Sequence, residues 1–500
     1  MIIAALTPGS PSGAVAIAAD GRVIAACPHE RVTRVRGHAV RQGWPEATLD
    51  LLLTRCGASR HDVQRYVSVQ GPDAAGPAPL AGHVVIDHHL AHASTAYRTS
   101  QFDSAAILVC DAAAPGMSLW VGAGPDLRQL DWPWRGTGFA DAYASVAQAL
   151  GLHGPGAGQR LEALARLAPA VHENWADDLL TRDGDGLILA PGWSDLVARR
   201  IGRSTPIGDT TSAAVAASLQ ARLGDLFVEL LGEVRARTGQ ARLCLGGTLF
   251  HHAPLTTRAR LNGAFETVFV PADPGDTGLA VGAALQSLDA APTPLSAYLG
   301  PVFGPEEIKA VLDNCKLTYR WEPEERLVQA AVAALMAGRL VGWFDGAMEW
   351  GPRALGARSI LASPFAPYVL ENLNRFLKHR EPWRGYALSG LTPAVHEHFV
   401  GPEASPTMEC DYLPRDRERF RHVLPTADAA VRIQTAGADA PPRFLRLLEA
   451  FGEASGVPIV VNTSFNGFHE PIVCSPRDAV RVFFGSGLDL LVLPPFVIQK

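Results

Sequence analysis

The sequence predicts an α/β protein of two or three domains, and three observations support this. The chain has 500 residues, which is more than one hydrophobic core usually serves. Apolar residues make up 47% and charged residues 19%, so material for ordinary globular cores is ample. Two short β-rich runs followed by a helical stretch occur twice in the first third of the chain. This recurrence indicates an N-terminal part built from two similar halves.

The first half opens with a predicted hairpin, and the second half repeats it. MIIAALT, a Gly/Ser/Pro turn, AVAIAAD and RVIAACP give three β-rich runs. The cycle restarts at Ala105, where AAILVCDA and SLWVGAG flank a Gly/Pro turn and precede a helical region from Phe139 to Pro169. Short β-rich runs punctuated by turn residues are typical of antiparallel strands. Because many α/β proteins share this order, the recurrence alone does not specify the fold.

The following segment predicts helix, strand, glycine turn, strand and helix. Apolar residues recur at helical spacing from Ser212 to Thr238, and ARLCLGGTLF then reads as a buried strand that ends in two glycines. ETVFVPADPGDTGLAVGAALQSL gives strand, loop and helix. The Pro/Gly-rich stretch from Asp289 to Glu306 predicts a linker. We therefore predict domains at 1–290 and 307–500, joined by a linker at 291–306.

Charge and cysteine content exclude several classes of protein. A net charge of −6 argues against a primary nucleic-acid partner, since such proteins usually carry a basic excess. The seven cysteines are scattered without a CxxC pair, so neither a zinc ribbon nor a disulfide framework is indicated. The N-terminus lacks a signal-peptide pattern, and no apolar stretch approaches the length of a membrane span. We expect a soluble cytoplasmic protein without membrane partners; its oligomeric state is not predicted.

The segment from Gly342 to Pro364, GWFDGAMEWGPRALGARSILASP, has the composition of an anion site. Its glycines and proline favour irregular backbone, and the guanidinium groups of Arg353 and Arg358 match the planar geometry of phosphate or carboxylate. The alternative is a surface turn with solvated arginines.

Two later patterns favour the anion site. One residue separates Lys378 from Arg380 in LKHREPWRG, so in an extended segment both cations lie on one face. A buried-strand run from Val457 to Val461 precedes the polar residues 462–466. Polar side chains at the end of a strand are placed to touch ligand.

DHHLAHAS predicts a metal-binding helix. His88 and His92 are four residues apart, so on a helix they share a face and can bind one cation through imidazole nitrogens, while His89 points elsewhere. Histidines at this spacing also occur as packing or surface residues.

GWFDGAMEWGPRALGARSILASP, KHREPWRGY and VPIVVNTSFNGFHEPIVCSPRDA together resemble the C-terminal domain of the O-carbamoyltransferase family, which includes tobramycin, nodulation and cephem carbamoyltransferases. Lys378 and Arg380 with Ser464 and Asn466 resemble the Lys-x-Arg and Ser-x-Asn signature of the YrdC fold. The helix–strand–glycine order with Gly-Asp-x-Gly resembles the Kae1-like N-terminal domain. The resemblance implies a duplicated ribonuclease-H-like N-terminal domain of the actin/Hsp70 type and an α+β YrdC-like C-terminal domain.

The resemblance also implies a reaction. Carbamoyl phosphate and ATP, with Mg²⁺, form carbamoyl-adenylate in the C-terminal domain, and the N-terminal domain transfers the carbamoyl group to a hydroxyl, or an amine, of a small natural product. The implied catalytic residues are Arg353, Arg358, Lys378 and Arg380. The implied contacts to nucleotide or carbamoyl phosphate are Ser359, Arg384, Arg432, Asn462, Ser464 and Asn466.

In the N-terminal domain the resemblance implies a metal site and contacts to the acceptor or adenylate. Asp276 matches the carboxylate that completes the site with His88 and His92, and the implied ion is Fe²⁺, with Zn²⁺ or Mn²⁺ as alternatives. The implied acceptor or adenylate contacts are Glu30, Arg31, Asp111, Gly247 and His252. For Glu30 and Arg31, in HERVTR, a salt bridge between lobes is the alternative.

Three segments of the N-terminal domain depart from the family pattern. TPGSPSG at 7–13 lacks the usual His and Asp, DAAAPGMS at 111–118 lacks two glycines and a Glu, and GAGQ at 156–159 lacks a Glu and a Lys. Because Cβ atoms obstruct the close approach of phosphate to backbone, Ala112 and Ala114 weaken the case for ordinary nucleotide contacts there. Because small or apolar residues replace charged or His positions, the three segments predict a less charged acceptor. One alternative is a non-catalytic ligand-binding homologue; another, an RNA-modification factor of the threonylcarbamoyl type, is disfavoured by the acidic net charge.

Overall fold

The computed structural model describes residues 1–7, 13–40, 43–70, 83–132, 134–154, 156–169, 174–183, 186–202, 207–289 and 291–500. The chain divides into two compact units. The first unit comprises Met1–Ile24, Ala39–Pro45 and His61–Leu295, and the second comprises Ala25–His38, Glu46–Arg60 and Ser296–Lys500. Two early segments therefore belong with the C-terminal part of the chain. The domain bounds at 290 and 307 stay a prediction.

The part of the chain up to residue 289 alternates groups of strands and helices. Its strands are β1 (Ile2–Thr7), β2 (Ala14–Ala19), β3 (Arg22–Pro28), β4 (Val63–Val69), β5 (Val84–Ile86), β6 (Ser104–Cys110), β7 (Met117–Ala123), β8 (Asp126–Gln129), β9 (Leu180–Arg182), β10 (Leu187–Leu189), β11 (Arg242–Gly246) and β12 (Thr267–Phe269). Its helices are α1 (His29–Thr33), α2 (Glu46–Arg55), α3 (His88–Arg98), α4 (Phe139–Ala149), α5 (Ala157–Ala165), α6 (Asn174–Leu179), α7 (Trp193–Ile201), α8 (Thr210–Thr238), α9 (Ala253–Leu261) and α10 (Leu279–Leu288). Helices α1 and α2 lie in the second unit.

Two sheets of this region have the same strand order. In the first, β3-β2-β1-β4-β5, strand β1 pairs antiparallel with β2 and parallel with β4. In the second, read as β8-β7-β6-β11-β12, strand β6 likewise pairs antiparallel with β7 and parallel with β11. The last two strands of each sheet, β4 with β5 and β11 with β12, pair parallel. This repeated topology confirms the predicted duplicated ribonuclease-H-like fold.

The predicted helices are present with modest changes of extent. Helix α8 begins two residues before the predicted start, where the Asp209 side chain accepts a hydrogen bond of 2.8 Å from the Ser212 amide, and it ends at Gly239 in the left-handed conformation. The predicted helical region from Phe139 to Pro169 divides into α4 and α5, because Gly151 and Gly154 adopt positive φ angles between them.

The remainder of the second unit is an α+β arrangement, as predicted. Its strands are β13 (Arg320–Trp321), β14 (Val341–Phe344), β15 (Arg358–Ala362), β16 (Ala387–Leu391), β17 (Phe399–Val400), β18 (Cys410–Pro414), β19 (Val431–Ala436), β20 (Ile459–Ser464), β21 (Leu490–Leu493) and β22 (Phe496–Gln499). Its helices are α11 (Pro305–Asn314), α12 (Glu324–Met336), α13 (Val369–Glu371), α14 (Thr392–His398), α15 (Pro442–Ser455) and α16 (Pro476–Phe484), with a π-helical segment at Asn372–Lys378.

One mixed sheet organises this unit, in the order β13-β22-β21-β14-β15-β20-β16-β19-β18-β17. Alternate residues of β20 enter different hydrophobic cores: Ile459 and Val461 pack with one, and Val460 packs with the other. Helices α12 and α15 cover the Val460 side, and α16 contributes to the opposite core. Both faces of the sheet are therefore buried, which gives a rigid base for the loops at the strand ends.

Two local expectations are corrected. Strand β20 continues to Ser464, so Asn462 and Ser464 lie within the strand rather than beyond it. Lys378 ends the π-helical segment, and His379 then has a positive φ of 45°, so the prediction of an extended segment around Lys378 and Arg380 is wrong.

Among the described helices, none has both the length and the apolar character needed to cross a bilayer.

Candidate functional site

Helix α3 carries the histidines of the predicted metal site. The helix starts after Asp87, whose side chain accepts a hydrogen bond of 2.9 Å from the Leu90 amide. His88 and His92 lie on one face, with ring centroids 4.8 Å apart. His89 points elsewhere, as predicted, and its Nδ1 lies 2.7 Å from the Ser118 hydroxyl.

Four side chains of the first unit converge on one point. His88 Nε2 lies 3.0 Å from Asp111 Oδ2 and 3.9 Å from Asp276 Oδ1, and His92 Nε2 lies 3.7 Å from an oxygen of each carboxylate. One donor atom from each of the four lies within 4.8 Å of the others. Donors about 2.1 Å from a divalent cation are about 3.0 to 3.4 Å apart in regular geometries, so the four need only small shifts to bind one ion. The structure brings the predicted trio together and adds Asp111.

The unsatisfied polar atoms of this cluster fit a cation. Within the part of the chain that the structure describes, no hydrogen-bond partner reaches either ring nitrogen of His92 or Oδ1 of Asp276, although all three atoms are buried. A buried polar atom without a partner is costly unless a ligand satisfies it. Burial would lower the pKa of His92, but the carboxylates of Asp111 and Asp276 outweigh it and raise the pKa to about 9. The site therefore attracts positive charge.

Asp111, at the end of β6, is held in place by neighbouring donors. The amide and hydroxyl of Thr248 donate to its Oδ1 at 2.9 and 2.7 Å. Burial would raise the pKa of Asp111, but the His92 charge and the hydrogen bonds from His88 and Thr248 hold it well below its usual range. Asp111 therefore stays ionised, as a metal ligand must. Gly247, the residue before Thr248, has a φ of 101°, and a Cβ there would lie 2.1 Å from the Cys110 carbonyl oxygen. Only glycine therefore fits at this position.

His252 lies at the end of the turn that begins at Thr248. Its ring stacks on Tyr143 at 4.0 Å, and its Nδ1 lies 3.4 Å from Glu162 Oε2. Gly158, in the GAGQ segment, leaves no room for a side chain, because a Cβ there would lie 2.7 Å from the imidazole. His252 thus has structural partners, and its predicted contact with acceptor or adenylate stays a prediction.

In the second unit, Lys378 contacts Ser464 and Asn466, the residues with which the family resemblance pairs it. Its ammonium donates to the carbonyl oxygens of Ser464 and Asn466 at 2.6 and 3.0 Å and to Asn466 Oδ1 at 2.6 Å. The Ser464 hydroxyl also donates to Asn466 Oδ1, at 2.7 Å. Residues from two distant segments thus form one polar cluster.

Arg380 and Arg384 are partly buried beside this cluster. Arg380 Nε donates to Asn374 Oδ1 at 2.8 Å, and its guanidinium stacks over the Tyr386 ring at 4.1 Å. Arg384 lies 3.8 Å from Glu381. Arg432, on β19, is mostly buried.

The Gly342–Pro364 segment is folded around a buried carboxylate, Glu349. Its Oε1 accepts hydrogen bonds from the amides of Leu355, Ala357 and Arg358 at 2.7, 2.8 and 3.2 Å. In the described chain its Oε2 has no hydrogen-bond partner. Glu349 therefore fixes the turn that carries Arg353, which is partly buried and has partners of its own.

Arg358 is fully buried, which excludes the solvated surface turn considered for it. Its guanidinium lies 3.7 Å from the centre of the Phe344 ring. Burial lowers its pKa to about 10. It donates to the main-chain carbonyl oxygens of Asp345, Gly346, Ala357 and Pro301 at 3.0 to 3.1 Å. In this conformation Arg358 stabilises the loop, and its contact with phosphate stays a prediction.

A hydrogen-bonded chain links β20 to the same loop. Asn462 Nδ2 donates to the Ser389 hydroxyl at 2.9 Å, that hydroxyl donates to Gln434 at 2.7 Å, and Gln434 donates to the Leu355 carbonyl oxygen at 3.1 Å. Ser359 is also buried, and its hydroxyl accepts from the Gly356 amide at 3.0 Å. Asn462 and Ser359, both predicted as contacts to nucleotide or carbamoyl phosphate, thus support the loop within Gly342–Pro364.

Glu30 and Arg31 are predicted to contact acceptor or adenylate in the N-terminal domain, and that contact stays a prediction. Both belong to the second unit. Glu30 accepts a hydrogen bond of 2.8 Å from the Gly37 amide. The Arg31 guanidinium donates to the carbonyl oxygens of Glu349 and Gly351.

Sequence reasoning missed the position of Asp111 beside His88 and His92 and the role of Glu349. Asp111 follows a buried strand, a place where carboxylates are often functional, and that signal could have added it to the metal set. Glu349 stands within the arginine-rich motif, but no spacing indicates which of its neighbours it binds.

Two regions of the chain match known protein families. Residues 332–500 match the family described as "Carbamoyltransferase C-terminus", and residues 199–285 match "Carbamoyltransferase N-terminus". The uncharacterized protein sll1178 of Synechocystis sp. is 30% identical over 469 residues, which covers 83% of this chain and 76% of that protein. Nodulation protein NolO of Bradyrhizobium diazoefficiens is 30% identical over 444 residues, which covers 83% of this chain and 79% of NolO.

Solved structures show weaker similarity. Full-length HypF in its phosphate- and nucleotide-bound form has 12% identity and a TM-score of 0.40, over 57% of this chain and 55% of HypF. The activator of 2-hydroxyisocaproyl-CoA dehydratase from Clostridium difficile has 16% identity and a TM-score of 0.37, over 58% of this chain and 95% of the activator. On the sequence comparisons, the chain is a member of the carbamoyltransferase family.

Proposed function

We propose that this carbamoyltransferase uses ATP and carbamoyl phosphate, forms carbamoyl-adenylate in its second unit, and transfers the carbamoyl group to a hydroxyl, or an amine, of a small natural product. The observation that carries the proposal is the convergence of Lys378 with Ser464 and Asn466. These residues come from separate parts of the family's C-terminal region, and together they offer a cation and polar atoms suited to phosphate.

In the first step, carbamoyl phosphate releases inorganic phosphate with consumption of one water, and the carbamate oxygen attacks the α-phosphorus of ATP. A P–O bond forms there and pyrophosphate leaves. Charge develops on the phosphoryl oxygens, so fixed cations dominate such catalysis. Lys378 and Arg353 would bind the phosphates, with Arg380 adding positive potential.

In the second step, which we place in the first unit, the acceptor oxygen or nitrogen attacks the carbamoyl carbon of the adenylate. The bond from that carbon to the phosphate oxygen breaks, AMP leaves, and the acceptor proton passes to solvent. His88, His92, Asp111 and Asp276 would hold a divalent cation, and their nitrogen and oxygen donors suit Fe²⁺, with Zn²⁺ and Mn²⁺ as competitors. The cation would supply Lewis acidity toward oxygens of the adenylate. Thr248 fixes the orientation of Asp111 through two hydrogen bonds.

The acceptor is proposed to carry little charge. The segment after Asp111 presents Ala112, Ala113 and Ala114, and GAGQ presents Gly158 against His252. Small side chains provide no counter-charges for a polycationic sugar. Most of TPGSPSG, residues 8–12, lies outside the described residues.

The test is pyrophosphate release from ATP without acceptor, with and without carbamoyl phosphate. We expect release that depends on carbamoyl phosphate and falls about 100- to 1,000-fold in Lys378→Ala. Lys309→Ala is the matched control, because that lysine is exposed on α11 and pairs only locally with Asp313. Wild-type protein that binds nucleotide but releases no pyrophosphate would overturn the proposal in favour of a non-catalytic binding protein.

The metal is tested separately. Elemental analysis should find about one divalent ion per chain in wild-type protein. Asp276→Ala should lose the ion and carbamoyl transfer while it keeps pyrophosphate release. Equal metal content in wild type and variant would refute the assignment of that ligand.

A further inference from the structure

The short helix α1 binds both loops of the proposed adenylation site. Helix α1 and the residue that follows it, Arg34, belong to the second unit although they come from the first tenth of the chain. The Arg31 and Arg34 side chains extend to different loops, and each guanidinium binds main-chain carbonyl groups there. Arg34 itself has a φ of 63°, in the left-handed region, which ends the helix after little more than one turn.

Arg31 holds the loop that carries Arg353. Its side chain is buried, and its two terminal nitrogens donate to the carbonyl oxygens of Glu349 and Gly351. On the far side of Arg353, the Glu349 carboxylate accepts the amides of Leu355 and Ala357. The turn with Arg353 at its centre is thus fixed at both of its ends.

Arg34 holds the loop that follows Asn466. It donates to the carbonyl oxygens of Pro471 and Ile472 at 2.8 and 2.5 Å. Asn466 is tied to the same loop, because its Nδ2 donates to the Glu470 carbonyl oxygen at 2.6 Å. The side chain of Asn466 in turn accepts from Lys378.

The chemistry of these contacts points to positioning rather than to ligand binding. A planar guanidinium that bridges two carbonyl oxygens fixes their separation and direction more rigidly than the ammonium of lysine, whose three donors rotate. Because both terminal nitrogens of Arg31 are engaged, its predicted contact with acceptor or nucleotide would require these bonds to break. Correct placement of charged groups to within about 0.5 Å is what phosphoryl transfer demands.

We infer that Arg31 and Arg34 are positioning residues of the adenylation site: Arg31 sets the orientation of Arg353, and Arg34 sets that of Asn466 and, through it, Lys378. This inference deepens the proposed function and rests on it. Helix α1 and Arg34 are thereby required for the chemistry of loops that lie more than 300 residues later in the chain.

The kinetic test measures pyrophosphate release dependent on carbamoyl phosphate. In Arg31→Ala, kcat should fall about 10- to 100-fold, since hydrogen bonds to a charged group are lost, with little change in KM for ATP. Arg31→Lys should recover part of this loss. The matched control is Arg326→Ala, because the Arg326 side chain is 73% exposed on α12.

A double-mutant cycle separates positioning from general stability. Once Arg353→Ala is present, adding Arg31→Ala should lower kcat by less than about twofold, because the group that Arg31 positions is gone. Additive losses would overturn the inference. So would Arg31→Ala and Arg34→Ala variants with wild-type kcat.

Hydrogen exchange gives a readout that does not depend on activity. In Arg31→Ala the amides of Leu355 and Ala357 should exchange at least about tenfold faster, while the strands β14 and β20 keep wild-type protection. Unchanged exchange in that loop would refute the role of Arg31 even if the enzyme is inactive. Wild-type protein without pyrophosphate release, but with this exchange response, would instead refute the proposed reaction and leave α1 as the element that orders both loops.

Discussion

Replacing Gly282 by alanine should damage the proposed metal site through the contact between helices α10 and α3. Gly282 lies in α10, where that helix crosses α3, and a Cβ there would be 2.0 Å from the Ala91 carbonyl oxygen and 2.3 Å from Thr95 Oγ1. Ordinary contact begins at 3.4 Å, so the helices must separate by 3.4 minus 2.0, or about 1.4 Å. Thr95 also donates to the Gly278 carbonyl oxygen at 3.0 Å, which ties α3 to the turn that carries Asp276.

A displacement of this size exceeds what a metal site tolerates. Metal–ligand distances hold to about 0.2 Å, so a shift of about 1.4 Å would move Asp276 out of reach of an ion held by His88 and His92, as proposed above. We expect Gly282→Ala to lower affinity for Zn²⁺ by about 10- to 100-fold and stability by about 1 to 3 kcal/mol. Pyrophosphate release by the second unit should persist.

The assay is titration of metal-depleted protein with Zn²⁺ against a competing fluorescent chelator, with thermal unfolding measured in parallel. The matched control is Gly232→Ala in α8, another helical glycine of the same unit, where an added Cβ meets nothing within 4 Å. That variant should keep wild-type affinity and gain about 0.5 to 1 kcal/mol, since alanine favours helix. Wild-type affinity in Gly282→Ala would show that the reasoning about the helix crossing is wrong.

Three further predictions concern single side chains. Asp111→Asn should weaken Zn²⁺ binding about 10- to 100-fold in the chelator assay, because a neutral amide replaces the ionised ligand; unchanged affinity would remove Asp111 from the ligand set. Glu349→Ala should lower the stability of the second unit, measured by native-state hydrogen exchange, by about 3 to 5 kcal/mol because three amides lose their acceptor, whereas Glu349→Gln should cost less than half of this. Burial and the charges of Arg380 and Arg36 lower the pKa of Lys378 well below its usual range, so its positive charge is lost as pH rises through that lowered value. KM for carbamoyl phosphate should therefore begin to rise at a pH below that at which lysine usually titrates. In Lys378→Arg the dependence of this KM on pH should be weaker. A KM that does not change with pH in the wild-type protein would contradict the prediction.

The sequence predicted those features that depend on local spacing. His88 and His92 share a helical face because they are four residues apart, and the strand order of the two halves follows from repeated hairpins. Lys378 and Ser464 could be paired because both stand in recognisable motifs. Their contact through a π-helical segment could not be read from the pattern, since LKHREPWRG has no signal that distinguishes that segment from an extended one.

Features that depend on distant pairing were not predictable. Arg31 donates to main-chain carbonyl groups. Because every residue has such a group, the sequence does not indicate which residues Arg31 contacts. Glu349 likewise binds amides rather than side chains. From its neighbours in the chain, Asp111 could be assigned only to a phosphate turn. The sequence does not show that β6 ends beside α3, which brings Asp111 to His88.

The discontinuous second unit has a consequence for synthesis of the chain. Arg31 and Glu349 are separated by 318 positions, and Arg34 and Ile472 by 438. At about 5 to 20 residues added per second, α1 emerges from the ribosome roughly 15 to 90 s before the loops that it binds. During that interval its arginines have none of these four carbonyl partners, while the intervening strands can already pair. Helix α1 is thus made before the two loops but reaches its final surroundings only after they are made, and a fragment that begins after residue 60 would lack the helix that orders them.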